Sequence, residues 1–253
     1  MKGEERGRLD RGDGVHLAWA RLPGRSPTVV FLPGLRSDMA GTKAEEVARL
    51  CGERGWGCLR LDYSGHGESE GRFEAGTIGR WAEDAGFLLD RLTAGPVVLV
   101  GSSMGGWVAL LAARQRPGRV AGLVGVAAAP DFTERLMWAS MMPAERETLL
   151  RDGVLRVPSE YGEALPITRA LIEDGRRHLV LEAEIPLACP VRLLHGQADL
   201  DVPWETALQL AGRLASRDVR VTLVKDGDHR LSRPADLALL RGAVLDLLGE
   251  GGG

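Results

Sequence analysis

At 253 residues, 44% of them hydrophobic, the chain is long enough to bury one substantial core, and a single domain is the expectation. A formal net charge of −3, with 32 Lys and Arg against 35 Asp and Glu interspersed along the chain, leaves no basic footprint for nucleic acid. Three cysteines, Cys51, Cys58 and Cys189, are odd in number and lack metal-ligand or redox-pair spacing, so they read as reduced thiols of a cytoplasmic protein.

The first six residues mix Lys2 and Arg6 with Glu4 and Glu5 and lead into no apolar stretch, which speaks against a secretory signal or an acid-poor transit peptide. After a turn at 11–14, residues 15–21 alternate and suggest an opening antiparallel hairpin. From there strand and helix take turns: strands at 28–32, 57–61, 96–100 and 120–126, with helices at 44–54, 78–92 and 107–113 between them. The segment 131–187 breaks the rhythm, mixing Trp138, Met141, Met142, Pro143, Pro158, Tyr161 and Pro166 with charged runs, and reads as an inserted lid. Strands at 190–194 and 219–224, with a helix at 204–208 between them, resume the pattern. The succession implies an α/β fold with a mostly parallel, doubly wound sheet whose strand C-termini carry the site. The uncharged run 96–113 barely reaches the length of a membrane span and is broken by Gly-Ser-Ser-Met-Gly-Gly, so a buried strand and core helix account for it better than stable membrane insertion. Low complexity is confined to the Gly251-Gly252-Gly253 tail.

Gly101-Ser102-Ser103-Met104-Gly105 sits where an apolar strand turns sharply into a helix. Such a turn lifts the central hydroxyl above the sheet and leaves no room for a Cβ on the flanking residues, which makes Ser103 the candidate nucleophile and excludes Ser102. A serine nucleophile needs a base and a carboxylate to orient it, in the order Ser, Asp or Glu, His. Asp199, four residues before Pro203 in the loop after one strand, is the candidate acid, and His229, in the loop after the next strand, the candidate base. Asp201 competes with Asp199 from the same loop and is read as a cap or solvated residue; Asp228 is read as a turn residue. His195 is read as a hydrogen-bonded loop residue, His66 as structural, and His16 and His178 as ordinary surface or core residues. An oxyanion hole needs two convergent backbone amides. Met104, after the nucleophile, supplies one, and Leu35, after Pro33-Gly34, the other. In the inserted segment, Trp138, Met141 and Met142 suit an apolar acyl group and are the expected substrate contacts.

The runs Phe31-Leu32-Pro33-Gly34, Gly41-Thr42-Lys43-Ala44, Asp62-Tyr63-Ser64-Gly65, the segment 100–107 around Ser103, Leu193-Leu194-His195-Gly196 with Asp199 and Val202-Pro203-Trp204, and Asp228-His229-Arg230 together resemble the α/β-hydrolase superfamily. The likeness spans 29–248 and is narrowest with the branch of palmitoyl-protein thioesterases and acyl-glucuronide esterases, a mitochondrial enzyme and its bacterial relatives. It implies one α/β-hydrolase domain over 1–253 with a lid at about 131–187. It also implies a serine hydrolase acting on acyl esters or thioesters through an acyl-enzyme, with no cofactor or metal, on a small-molecule or acylated-protein substrate. The chain departs from that branch in lacking a recognisable transit peptide, which favours a bacterial cytoplasm over a mitochondrion. A general short-chain carboxylesterase and a non-catalytic ligand receptor on the same scaffold are the alternatives.

Overall fold

The computed structural model describes residues 3–159 and 162–250; Met1, Lys2, Glu160, Tyr161 and the terminal glycines 251–253 lie outside that set. In chain order the elements are β1 (Glu5–Asp10), β2 (His16–Leu22), β3 (Arg25–Leu32), α1 (Thr42–Arg54), β4 (Trp56–Leu61), α2 (Ile78–Leu92), β5 (Val97–Ser102), α3 (Met104–Gln115) and β6 (Val120–Val126). Then follow a π-helical turn (Thr133–Trp138), α4 (Pro143–Asp152), β7 (Val154–Ser159), β8 (Gly162–Thr168), α5 (Arg169–Arg177), β9 (Val191–Gly196), α6 (Glu205–Arg213), β10 (Val219–Val224) and α7 (Pro234–Leu247).

Eight strands form one sheet in the order β1-β2-β4-β3-β5-β6-β9-β10. The expected hairpin is there, β1 on β2, with register from Glu5 opposite Arg21 to Asp10 opposite His16. β2 runs antiparallel to β4, and every pairing from β4 through β10 is parallel. Alternation along the strands divides the core in two. Val30, Leu32, Val97 and Leu99 join Trp81 and Leu88 of α2 and Trp107 and Leu110 of α3 on one face. Val29, Phe31, Val98 and Val100 join Val47 and Leu50 of α1 and Leu240 and Val244 of α7 on the other. Burial on both faces is why β5 reads as an unbroken apolar run. Among the described residues no helix is long and apolar enough to cross a membrane.

Between β6 and β9 the chain leaves the sheet. Met141, Leu149, Ile167 and Ile172 form a separate small core there, with Trp138, Leu155, Val157 and Leu165 packed against it. The antiparallel β7–β8 hairpin, α4, α5 and, further on, α7 are elements that sequence patterning did not assign. Both ends of this segment are tied by one side chain. Buried Asp131, at φ 60°, accepts the Val180 amide at 2.8 Å and the Leu181 amide at 2.9 Å.

Candidate active site

Ser103 stands between the last residue of β5 and the first of α3 at φ 53°, ψ −119°. A non-glycine residue in that region costs about 1–3 kcal/mol and persists only where its surroundings enforce it. Here they do: Ser103 N–H donates to Val126 O at 2.9 Å, and its carbonyl accepts from Gly106 and Ala129 at 2.9 and 3.0 Å. The flanking glycines are sterically required. A Cβ on Gly101 would lie 2.3 Å from Gly105 O, and one on Gly105 would lie 2.0 Å from Leu32 O at the end of β3.

The turn aims the Ser103 hydroxyl at His229. Oγ lies 3.0 Å from Nε2, and Nδ1 lies 2.8 Å from Asp199 Oδ2. Ionised Asp199 can only accept, so Nδ1 carries the ring proton and Nε2 accepts from the hydroxyl. The histidine and aspartate loops are packed backbone to backbone: Ala198 N–H donates to Gly227 O at 2.9 Å, and a Cβ on Gly196 would fall 2.1 Å from that oxygen. Asp201 is exposed and leaves the imidazole to Asp199; its own amide donates to Asp199 Oδ1 at 2.9 Å, and the N-cap of α6 is Trp204. Asp228 is the turn residue it was expected to be, accepting from Leu231 N–H at 2.9 Å.

Asp199 is more heavily bonded than its motif suggests. Val202 N–H donates to Oδ1 at 2.8 Å, and His195 Nε2 stands 3.2 Å from Oδ2 and 3.0 Å from Val202 O. Burial alone would raise the Asp199 carboxyl, but the hydrogen bonds from His195, His229 and Val202 outweigh it and hold the group well below the usual carboxylate range. His195 is the penultimate residue of β9, buried, and its role as a second donor to Asp199 is one that sequence reasoning did not assign. The four-residue spacing across Gly196 is the signal that carries it. His66 is structural, as expected: it packs edge-on against Tyr63, Phe73 and Trp81 at ring separations of 5.1–5.6 Å.

Leu35 and Met104 flank the hydroxyl on the wall of the same cavity. Among the described residues neither backbone N–H has a hydrogen-bond partner, that of Met104 because it opens a helix. Gly34 permits the approach, since a Cβ there would already press on Ser103 Cβ and Ser102 O at 3.3 Å.

The cavity holds about 480 Å³ and its wall mixes two kinds of side chain. Phe132, Leu136, Met137 and Leu165 are apolar; Arg36, Asp38, Lys43, Arg230 and Ser232 are charged or polar. Trp138, Met141 and Met142, the expected substrate contacts, are not on its wall. Trp138 is turned away and held between the guanidinium groups of Arg146 and Arg176, 5.0 and 4.6 Å from its ring centre. Met141 is buried in the small core of the insertion, and Met142 is 65% exposed at the head of α4. The π-helical turn shifts the helical phase, so it is Leu136 and Met137 that face the cavity. Asp199, Asp201 and His229 bring ligand-type atoms within 4.8 Å of one another, but the facing atoms of Asp199 and His229 are already bonded to each other and to Ser103.

Residues 27–157 match the family described as having the alpha/beta hydrolase fold. Over 243 residues the chain is 42% identical to the palmitoyl-protein thioesterase ABHD10, mitochondrial, of Homo sapiens, spanning 95% of this chain and 79% of that protein. The solved structure of alpha/beta hydrolase domain-containing protein 10 from mouse matches with a TM-score of 0.90 and 38% identity over 97% of this chain and 99% of that one. A putative hydrolase from Agrobacterium vitis S4 matches with a TM-score of 0.91 and 43% identity over 96% and 98%. The chain is therefore a member of the α/β-hydrolase fold family, similar over nearly its whole length to the palmitoyl-protein thioesterase ABHD10.

Proposed function

We propose that the protein is a serine hydrolase that cleaves acyl esters or thioesters through a covalent intermediate on Ser103. The observation that carries this reading is the continuous hydrogen-bonded line Asp199–His229–Ser103, at 2.8 and 3.0 Å, opening into a cavity lined in part by apolar side chains. His229 Nε2 takes the hydroxyl proton as Oγ attacks the acyl carbon, and the Leu35 and Met104 amides hold the negative charge that develops on the carbonyl oxygen. The tetrahedral species collapses, the C–O or C–S bond breaks, and the imidazolium returns its proton to the leaving group. Water then gives a proton to the same nitrogen and attacks the acyl-enzyme; His229 passes that proton to Ser103 Oγ as the acid departs. Asp199 stays ionised throughout and stabilises the imidazolium. No step calls for a metal or cofactor.

Within one domain over 1–253, residues 131–187 act as a lid, and its Phe132, Leu136 and Met137 receive the acyl chain. The names of the ABHD10 relatives favour an acylated protein thiol as substrate; acyl glucuronides and acyl-CoA belong on the same test panel. We place the enzyme in a bacterial cytoplasm, a reading supported by its free thiols Cys51, Cys58 and Cys189; the ABHD10 relatives are named as mitochondrial.

A fluorophosphonate probe tests the assignment. Wild type and Ser102→Ala should label and hydrolyse nitrophenyl esters, and Ser103→Ala should do neither. Equal labelling of wild type and Ser103→Ala would remove Ser103 from the mechanism.

A further inference from the structure

Lys43 has no place in that chemistry. It lies in the first turn of α1, on the cavity wall, with most of its side chain withdrawn from water. Burial lowers its ammonium to about 8; Asp228 and Asp236 support the charge and Arg230 opposes it. A withdrawn ammonium is unfavourable unless its protons are engaged. These are engaged by a single loop: Nζ donates to Arg230 O and, at 3.5 Å, to Ser232 Oγ. Arg230 follows His229 directly.

The topology explains why such a tie matters. The loop bearing Leu35 leaves β3, the loop bearing His229 leaves β10, and β5, β6 and β9 stand between those strands. Sheet hydrogen bonds therefore set neither loop against the other. Further from the cavity α1 and α7 are joined, Arg241 reaching Glu46 at 3.0 Å and Glu53 at 2.8 Å. At the cavity itself Lys43 makes the crossing. The loop it grips is strained, with buried Leu231 at φ 42°, a region that a non-glycine residue leaves when its surroundings allow.

We propose that Lys43 is a positioning residue for His229: by holding Arg230 O and Ser232 Oγ it ties the imidazole loop to the helix that follows the Leu35 loop, and so keeps Nε2 over Ser103 Oγ. This rests on the serine-hydrolase reading above.

Lys43→Met keeps the stem and removes the donors, and Lys43→Arg keeps a cationic donor. With a short nitrophenyl ester, kcat of Lys43→Met should fall by about tenfold or more, towards the ~100-fold that a 1 Å displacement of a catalytic group brings. KM should stay nearly level, fluorophosphonate labelling should slow in step with kcat, and Lys43→Arg should recover most of the loss. A fall in melting temperature with kcat unchanged would make Lys43 a strut only, and a rise in KM at constant kcat would make it a substrate contact; either overturns the proposal. If Lys43→Met does not fold, Ser232→Ala, which removes the longer bond alone, should lower kcat in the same direction but less, and an unchanged kcat there overturns the proposal. A wild type that neither labels nor turns over would instead defeat the hydrolase reading itself.

Discussion

Asp199 Oδ2 faces two imidazoles, and this makes the carboxylate the most constrained side chain of the site. Its partners also separate it from Asp201. Asp199→Asn should leave the fold intact and lower kcat on the order of 10⁴-fold, because an amide in that position favours the wrong ring tautomer. Asp201→Asn, at an exposed position, should stay within a few-fold of wild type; steady-state kinetics on an activated ester that reversed this order would move the acid role to Asp201. Ser103, Asp199 and His229 were legible in the sequence because backbone constraints announce them: glycines two residues to either side of Ser103, where a Cβ would collide, and acid and base in loops directly after strands. His195 was visible as a residue but not as a donor. Its geometry depends on how the 196–199 turn folds back, and composition does not record that.

At the scale of elements, the insertion contributes Phe132, Leu136, Met137 and Leu165 to the cavity wall. The broken strand–helix rhythm marked the segment but not its contents: Pro158 and Pro166 disguise β7 and β8 as loop, and a π-helical turn departs from the ordinary helical period. The same limit hid α7, whose Pro234 opens a helix while reading as a breaker. On the proposed reading, each methylene buried against Leu136 and Met137 contributes about 0.8 kcal/mol, or roughly fourfold in kcat/KM, until the apolar surface is covered. A nitrophenyl ester series should therefore rise from acetyl towards longer acyl groups, and Leu136→Ser or Met137→Ser should flatten the rise while sparing acetyl. Met142→Ser should leave the profile unchanged. A wild-type profile falling steadily from acetyl upward would favour the short-chain carboxylesterase.

For the molecule as a whole, sequence patterning gave the doubly wound sheet and the order of its strands along the chain, because period-two burial on two faces is written in the residues. Buried charge was not legible in that way, and it governs the response to acid. Burial raises Asp62 to about 6 against the amides of Glu68 and Met39, and burial lowers His66 to about 4 against the Ser64 carbonyl. The signs oppose. As pH rises from about 4 to 6 the unfolded chain ionises Asp62 before the folded one does, and stability is lost. As pH falls from about 6.5 to 4 the unfolded chain protonates His66 first, and stability is lost in that direction. Each effect is worth about 3 kcal/mol over its window, so the two largely cancel. His66→Phe, which suits the ring cluster of Tyr63, Phe73 and Trp81, removes one of them. Its melting temperature relative to wild type should climb by on the order of 10 °C between pH 6.5 and pH 4. A difference that stays flat over that range would mean that folded His66 takes up its proton as freely as the unfolded chain does.

Asp131 closes the segment 131–181 into a ring of chain joined at a single carboxylate. A ring so fastened makes an exchangeable cassette: its interior can be rewritten, lengthened or traded between relatives while the strands beneath keep their register. On the serine-hydrolase reading proposed above, selectivity and chemistry can then diverge at separate rates on one scaffold, the first through the ring and the second through the loops at the strand ends.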